Sequence, residues 1–215
     1  MLYTYKEGGE VILKKLLFLL PITLLFFVSP SQAATTTHTV VSGDTMWKIA
    51  VKYQAGCQEI IDANPQISNP NLIYPGQKLN IPTKSTEETS TEQEILKLVN
   101  AERSKQGLSP LTLNWELSRV AKFKSEDMRD NNYFSHNSPT YGTPFQMMKS
   151  FGITYKSAGE NIAAGQKTAQ AVMTDWMNSS GHKANILSKN YTQLGVGKAT
   201  GGSYGTYWTQ MFISK

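Results

Sequence analysis

Between Ile81 and Ile95 the chain reads PTKSTEETSTEQE, a stretch without a single aliphatic or aromatic side chain. A segment that can bury nothing belongs to neither core beside it, so the 215 residues must fold as two hydrophobic units, one on each side. The stretch is read as a flexible linker, set at residues 83–90. It leaves a first unit over residues 38–82 and a second over residues 91–215, both within the sizes that small domains take. With 40% hydrophobic residues in the chain, each unit can build a packed interior, which excludes a disordered protein.

Ahead of both units a basic pair, Lys14 and Lys15, precedes mostly apolar residues from Leu16 to Val28, and small residues follow, ending in Ser31-Gln32-Ala33. That order is the layout of a secretory signal peptide, residues 1–33, with cleavage expected after Ala33. The apolar run is short of the ~20 residues that a membrane-spanning helix needs, so no stable membrane anchor is expected after cleavage. Cys57 is the only thiol, which rules out an intramolecular disulfide and leaves stability to packing. An exported chain of that kind suits the outer face of a bacterium, at the cell wall or a spore surface. Residues 34–215 hold 18 basic and 14 acidic side chains, distributed unevenly: residues 95–215 carry 14 basic against 7 acidic, residues 34–82 three of each. The second unit should therefore be drawn to polyanions, which outside a cell are wall polymers, and no nucleic-acid partner is expected.

The first unit reads strand, helix, helix, strand. Alternation in HTVV gives way to Ser42-Gly43, and Asp44 or Thr45 can cap a helix whose apolar positions Met46, Ile49, Ala50 and Tyr53 follow the helical spacing. A second helix around QEIIDAN must stop before Pro65. Pro75-Gly76 then fits the centre of a type II turn leading into a strand from Lys78 to Ile81. The run VVSGDTMWKIAVKYQ followed by IIDANPQISNPNLIYPGQKLNIP resembles the LysM module over essentially all of residues 38–82. The resemblance implies binding to N-acetylglucosamine-containing glycans such as peptidoglycan. The implied groove lies between the loop Gly43, Asp44, Thr45, Met46 and the loop that holds Asn71, Leu72 and Ile73. An acetamido group needs backbone donors and acceptors beside a small apolar patch, which Met46, Leu72 and Ile73 can supply. The bland alternative is that Asp44 and Thr45 only cap the helix and that Trp47 and Ile73 only fill the core. Cys57 reads as a small half-buried residue or as a thiol that crosslinks two chains.

The second unit opens with a helix capped by the box Thr91-x-x-Glu94 and ended by Gly107. Asn114 caps a second helix with Leu117, Val120, Ala121 and Met128 as its stripe. Thr143-Pro144 starts a third, and a fourth in KTAQAVMTDWMNSS turns Ala169, Val172, Met173 and Trp176 inward. TQLGVGKA and TYWTQMFIS, joined by a Gly-rich turn, read as an antiparallel hairpin of alternating strands. Helices with a terminal hairpin indicate an α+β fold.

LVNAERSKQGL, NYFSHNSP, GENIAAG, WMNSSGHKANIL and YTQLGVG, in that order, are similar to the CAP superfamily (SCP/PR-1-like) in its bacterial form. That resemblance implies an α-β-α sandwich with a cavity where His136, Glu160 and His182 face one another, and where His136 and His182 can hold a divalent metal such as zinc. Spacing alone does not show this, because the three lie 22 to 24 positions apart and form no local motif. Two neutral imidazoles and a carboxylate are the minimum set for a catalytic zinc, and a lone glutamate among histidines can instead be a general base. Animal and plant members carry a second glutamate shortly after the tryptophan of the fourth helix, where this chain has Ser179. That departure lowers the expected metal affinity, since fewer charged ligands offset the ion's dehydration. No G-x-S-x-G occurs, which argues against serine hydrolysis. Three functions stay open: a wall-associated binding protein whose LysM module tethers a ligand-binding CAP cavity, a metal-assisted hydrolase or protease at the wall, and a structural component of wall or spore coat.

Overall fold

The computed structural model describes residues 5–7, 10–12 and 34–215. The chain divides into two units, residues 1–32 and residues 33–215. In the first, Tyr5–Glu7 (β1) pairs antiparallel with Glu10–Ile12 (β2). The rest of the segment expected as a signal peptide lies outside the described residues.

The second unit begins with Ala34–Thr39 (β3), Met46–Tyr53 (α1), Cys57–Asp62 (α2) and Lys78–Thr83 (β4), with β3 and β4 antiparallel from Ala34↔Thr83 to Thr39↔Lys78. Thr45 is the cap of α1, its hydroxyl accepting from Lys48 N at 3.2 Å. Met46, Ile49 and Ala50 on the inner face meet Ile60, Leu79 and Ile81 in a closed core. Asn64 lies between the end of α2 and Pro65 and is itself fully buried. Its Nδ2 donates to Ile60 O and to Asn80 O, both at 2.7 Å, while Oδ1 accepts from Asn80 N at 2.8 Å. A buried amide with these partners staples α2 to β4, the physical content of the ANP motif. Gly76 takes φ +89°, and Gln77 N closes on Tyr74 O at 3.1 Å, as a type II turn requires.

The segment read as a flexible linker is helical. Thr86–Lys105 (α3) starts from the cap Ser85, whose hydroxyl accepts from Glu88 N while Glu88 returns to Ser85 N. The box at Thr91 and Glu94 is not used, because the equivalent box Ser85-x-x-Glu88, six residues earlier, starts the helix first. The early start is favoured by tertiary charge: Glu88 pairs with Lys122 and Glu87 with Lys198 at 3.3 Å, beside a local pair of Glu92 with Lys84 at 2.7 Å. Sequence composition could not show those partners.

Beyond α3 lie Thr112–Leu113 (β5), Trp115–Asp130 (α4), Pro144–Ser150 (α5), Ser157–Ala164 (β6), Ala169–Asn178 (α6), Ser180–Ile186 (α7), Gln193–Thr200 (β7) and Thr206–Ser214 (β8). The sheet runs β5-β7-β8-β6, with β7 and β6 antiparallel to β8 and β5 parallel to β7. Helices cover both faces, so the fold is α+β, an α-β-α sandwich. On one side α3, α6 and α7 bring Ile95, Val99, Val172 and Trp176 onto Val196 and Phe212. On the other, α4 and α5 bring Val120, Ala121 and Met147 onto Met211 and Ile213. The expected hairpin is present, but its expected alternation is not: β8 is buried from Thr206 to Ile213 because both faces are covered. Strand β6 and helix α7 were not anticipated, the first because buried SAGENIAA shows no period of two.

Candidate functional site

A cavity of about 420 Å³ is lined by Phe134, Ser135, His136, Asn137, Ile162 and His182. It sits at β6, the edge strand of the sheet. Alternation along β6 turns Glu160 and Ile162 to one face and Asn161 to the other. His136 reaches the first face from the loop after α4, and His182 arrives from α7 around the strand edge. Thus the three residues expected to meet do converge, although not as one set.

His136 Nδ1 and Glu160 Oε1 share a hydrogen bond of 2.7 Å. Glu160 is 7% exposed, and its Oε2 is buried without a partner among the described residues. Burial pushes the Glu160 carboxyl above the usual carboxylate range, while the bond from His136 and the charge of Lys124 pull it back part of the way. The ring of His182 has no hydrogen-bond partner among the described residues. Burial, and next the charge of His136, hold it below the ordinary imidazole value.

Two residues of α4 position the His136 loop. Lys124 is fully buried, and its ammonium donates to Tyr133 Oη at 3.0 Å, Ser135 O at 2.7 Å and His136 O at 2.9 Å. All its donors are satisfied, as a buried cation demands. Asp127, one turn on, accepts from Asn131 Nδ2 at 2.7 Å, Ser138 Oγ at 2.7 Å, Thr140 Oγ1 at 2.6 Å and the Tyr133 hydroxyl. Helix α7 is held just as firmly. Asn185 Nδ2 donates to Glu160 O at 3.1 Å and Asn161 Oδ1 at 2.9 Å, and Asn161 Nδ2 donates to His182 O at 3.1 Å. Arg103, buried in α3, donates from Nη1 to Ile186 O and Ser188 O, both at 2.8 Å, and so ties down the end of α7. These positioning residues were missed in the sequence. A signal was present in one case: Lys124 falls on the apolar stripe of α4, between Ala121 and Met128, where an exposed lysine would be out of place.

The divalent ion implied by the resemblance does not fit this donor set. Glu160 uses Oε1 on His136, its Oε2 is enclosed, and among the described residues no three His, Cys, Asp or Glu side chains gather as a metal-holding group. Two imidazoles fall short of the three protein ligands that a catalytic zinc takes.

In the small module, Val40, ahead of the first expected groove loop, bonds to the turn that follows the second: Val40 N donates to Gln77 O and Gly76 N to Val40 O, both at 2.8 Å. Gly43 is left-handed at φ +86°, and its carbonyl accepts from Lys48 Nζ at 2.7 Å. Asp44 does not cap α1; its carboxylate accepts from Val41 N at 2.9 Å and meets His38 Nε2 at 2.8 Å. Those two contacts hold its pKa below the usual carboxylate range, the backbone bond most strongly. Thr45 is occupied as the cap. Met46, expected in the apolar patch, is 8% exposed and belongs to the core instead, since it shares the inward face of α1 with Ile49 and Ala50. Asn71 N donates to Asn69 Oδ1 at 3.1 Å, Leu72 stands exposed and Ile73 packs half-buried on the core. Trp47, by contrast, is not core: it is 58% exposed, near exposed Val51 one turn on. Cys57 is half-buried, and burial raises its thiol pKa.

Residues 38–82 match the family described as LysM domain, and residues 96–212 the family described as CAP, the cysteine-rich secretory protein family. The chain is 55% identical over 140 residues to the Uncharacterized protein YkwD of Bacillus subtilis (strain 168), covering 65% of this chain and 53% of that protein. It is 43% identical over 60 residues to the Endolysin of Bacillus phage B103, covering 26% of this chain and 23% of that protein. A crystal structure of an extracellular protein containing a SCP domain from Bacillus anthracis str. Ames superposes with a TM-score of 0.55 at 37% identity, covering 66% of this chain and 47% of that one. The chain thus spans about half the length of the first of these relatives and less of the second.

Proposed function

Because the chain belongs to the cysteine-rich secretory protein (CAP) family and carries a LysM domain ahead of that domain, we propose that it is a wall-associated, extracellular binding protein. The LysM module takes N-acetylglucosamine-containing glycan, peptidoglycan above all, and presents the CAP cavity at the wall to receive a small ligand. The observation that carries this reading is the preorganised loop Gly43–Met46. Its polar side chains are already committed to Val41, His38 and the α1 cap, and Leu72 and Tyr74 of the second loop stand exposed to meet a sugar. Similarity over 60 residues to an endolysin, named as such, supports the wall as its setting. A second reading, hydrolysis at the wall, draws on Glu160, since a buried carboxyl of raised pKa beside an imidazole is general-acid chemistry. Binding is kept as the first reading because the loop geometry of the LysM module bears on it directly.

The test is retention on purified peptidoglycan. Leu72→Asp in the mature chain should weaken retention at least about tenfold, the effect of losing a central apolar contact worth roughly 1.4 kcal/mol or more. Soluble N-acetylglucosamine oligomers should compete with the wild type. Undiminished retention of the variant would move the binding surface away from this groove. Release of soluble fragments by the wild type, lost in Glu160→Gln, would favour hydrolysis.

A further inference from the structure

Two separate attachments join the small module to the sandwich. The first is covalent and stiff. Strand β4 runs to Thr83 and the cap of α3 is Ser85, so Lys84 alone lies between strand and cap, and its ammonium meets both Glu92 oxygens at 2.7 and 2.9 Å. The opening turns of α3 are then fixed to the sandwich through Glu88 on Lys122 of α4 and Glu87 on Lys198 of β7. The second attachment is an ion pair from a different element of the module. Glu59 of α2 is gripped by Arg119 of α4, Nε to Oε1 at 3.0 Å and Nη2 to Oε2 at 2.7 Å. The guanidinium lies 5.9 Å from the Trp115 ring and 5.8 Å from the Phe123 ring, which hold its plane in place. Gly56 gives this contact its room: a Cβ there would come within 1.8 Å of Arg119 Nη2 and 1.7 Å of Glu59 Oε2.

A hinge needs freedom at one joint, whereas two attachments on different elements of each body remove rotation about either. We propose that the LysM module and the CAP domain are docked on each other as one rigid body, closed by the Glu59–Arg119 pair and the start of α3. A polymer held by the module therefore sets the direction in which the His136 cavity faces, and not merely its local concentration. The docking stands on these contacts alone and does not depend on which glycan the groove takes.

The test is backbone ¹⁵N relaxation on residues 34–215, which yields one rotational correlation time if the bodies are docked and two if they are not. The wild type should show a single time across residues 38–82 and 96–212. Glu59→Arg and Arg119→Glu should each split it, with a faster small module, and the charge-swapped double variant should restore one value. Thermal melts on the single variants, showing both domains folded, exclude unfolding as the reason for a split. Peptidoglycan retention should stay unchanged, because the pair is outside the groove. Two correlation times in the wild type would overturn the proposal, as would single variants that keep one time or a swap that fails to restore it.

Discussion

Asp127 shows how a residue that touches no ligand can govern the site. Burial raises its pKa most, but the combined hydrogen bonds from Thr140, Tyr133, Ser138 and Asn131 outweigh that and leave it below the usual carboxylate range. A carboxyl depressed in the folded state contributes stability that is present above its unfolded value and lost as pH falls through the folded one. Thermal melts should therefore show an acid limb below about pH 4, the unfolded value for aspartate, that Asp127→Asn lacks. At neutral pH that variant should be less stable by about 1–3 kcal/mol, since its amide turns a donor toward the Tyr133, Ser138 and Thr140 hydroxyls. Persistence of the limb in the variant would assign it to another group. Little of this was legible beforehand. His136, Glu160 and His182 could be named from motifs, yet which of them touch is decided by a loop pinned from α4, and the pinning residues look like ordinary helix charges.

Among elements, α4 and β7 depend on each other through two glycines. A Cβ on Gly195 would lie 2.4 Å from the Leu117 carbonyl carbon, and one on Gly197 would lie 2.2 Å from Ala121 C and Lys122 N. Both obstacles are backbone, which cannot swing aside as a side chain would. The glycines two apart put one bare strip of strand under the helix, while Leu194 and Val196 between them fill the opposite layer. Gly197→Ala should lower stability by about 1–3 kcal/mol or more through overpacking, read as a drop in Tm. By displacing α4 it should also loosen the Lys124 contacts to the His136 loop, visible as faster amide exchange at residues 135–137. A Tm equal to wild type would show that the helix can shift at no cost. In the sequence LGVG looks like a weak strand, because a glycine is read as missing a side chain and not as admitting a helix. Helix α3 misled for the related reason that Ser85-x-x-Glu88 and Thr91-x-x-Glu94 are equal as local signals. Only Lys122 and Lys198, arriving from elsewhere, favour the first.

On the scale of the molecule, some charges are paired and others are not. Glu87, Glu88, Glu92 and Asp130 all sit in ion pairs. Lys149, Lys156, Lys183 and Lys189 stand exposed with no partner among the described residues. Wall retention should thus have two components. Attraction of those lysines to anionic polymer should fade between about 0.05 and 0.5 M salt as screening sets in, whereas the LysM component, from a module with balanced charge, should persist. Retention of Leu72→Asp measured against salt separates them: full salt sensitivity is expected for the variant and partial for the wild type. Equal curves would mean that the groove adds nothing.

The chain's own order of residues determined whatever depends on near neighbours: two cores divided by a polar stretch, the Thr45, Asn114 and Thr143 caps, the Pro75-Gly76 turn, the terminal hairpin, and the motifs that mark LysM and CAP. These follow from side-chain spacing and backbone preference within a few residues, which a sequence displays directly. Tertiary structure alone decided that the apparent tether is helix, that Met46 is core and Trp47 surface, that Glu160 bonds His136 while the His182 ring has no partner among the described residues, and that Arg119 reaches Glu59 sixty positions away. Each of those is settled by competition among distant groups for burial, charge and hydrogen bonds, and such a contest has no winner until the sheet order β5-β7-β8-β6 has brought the competitors together.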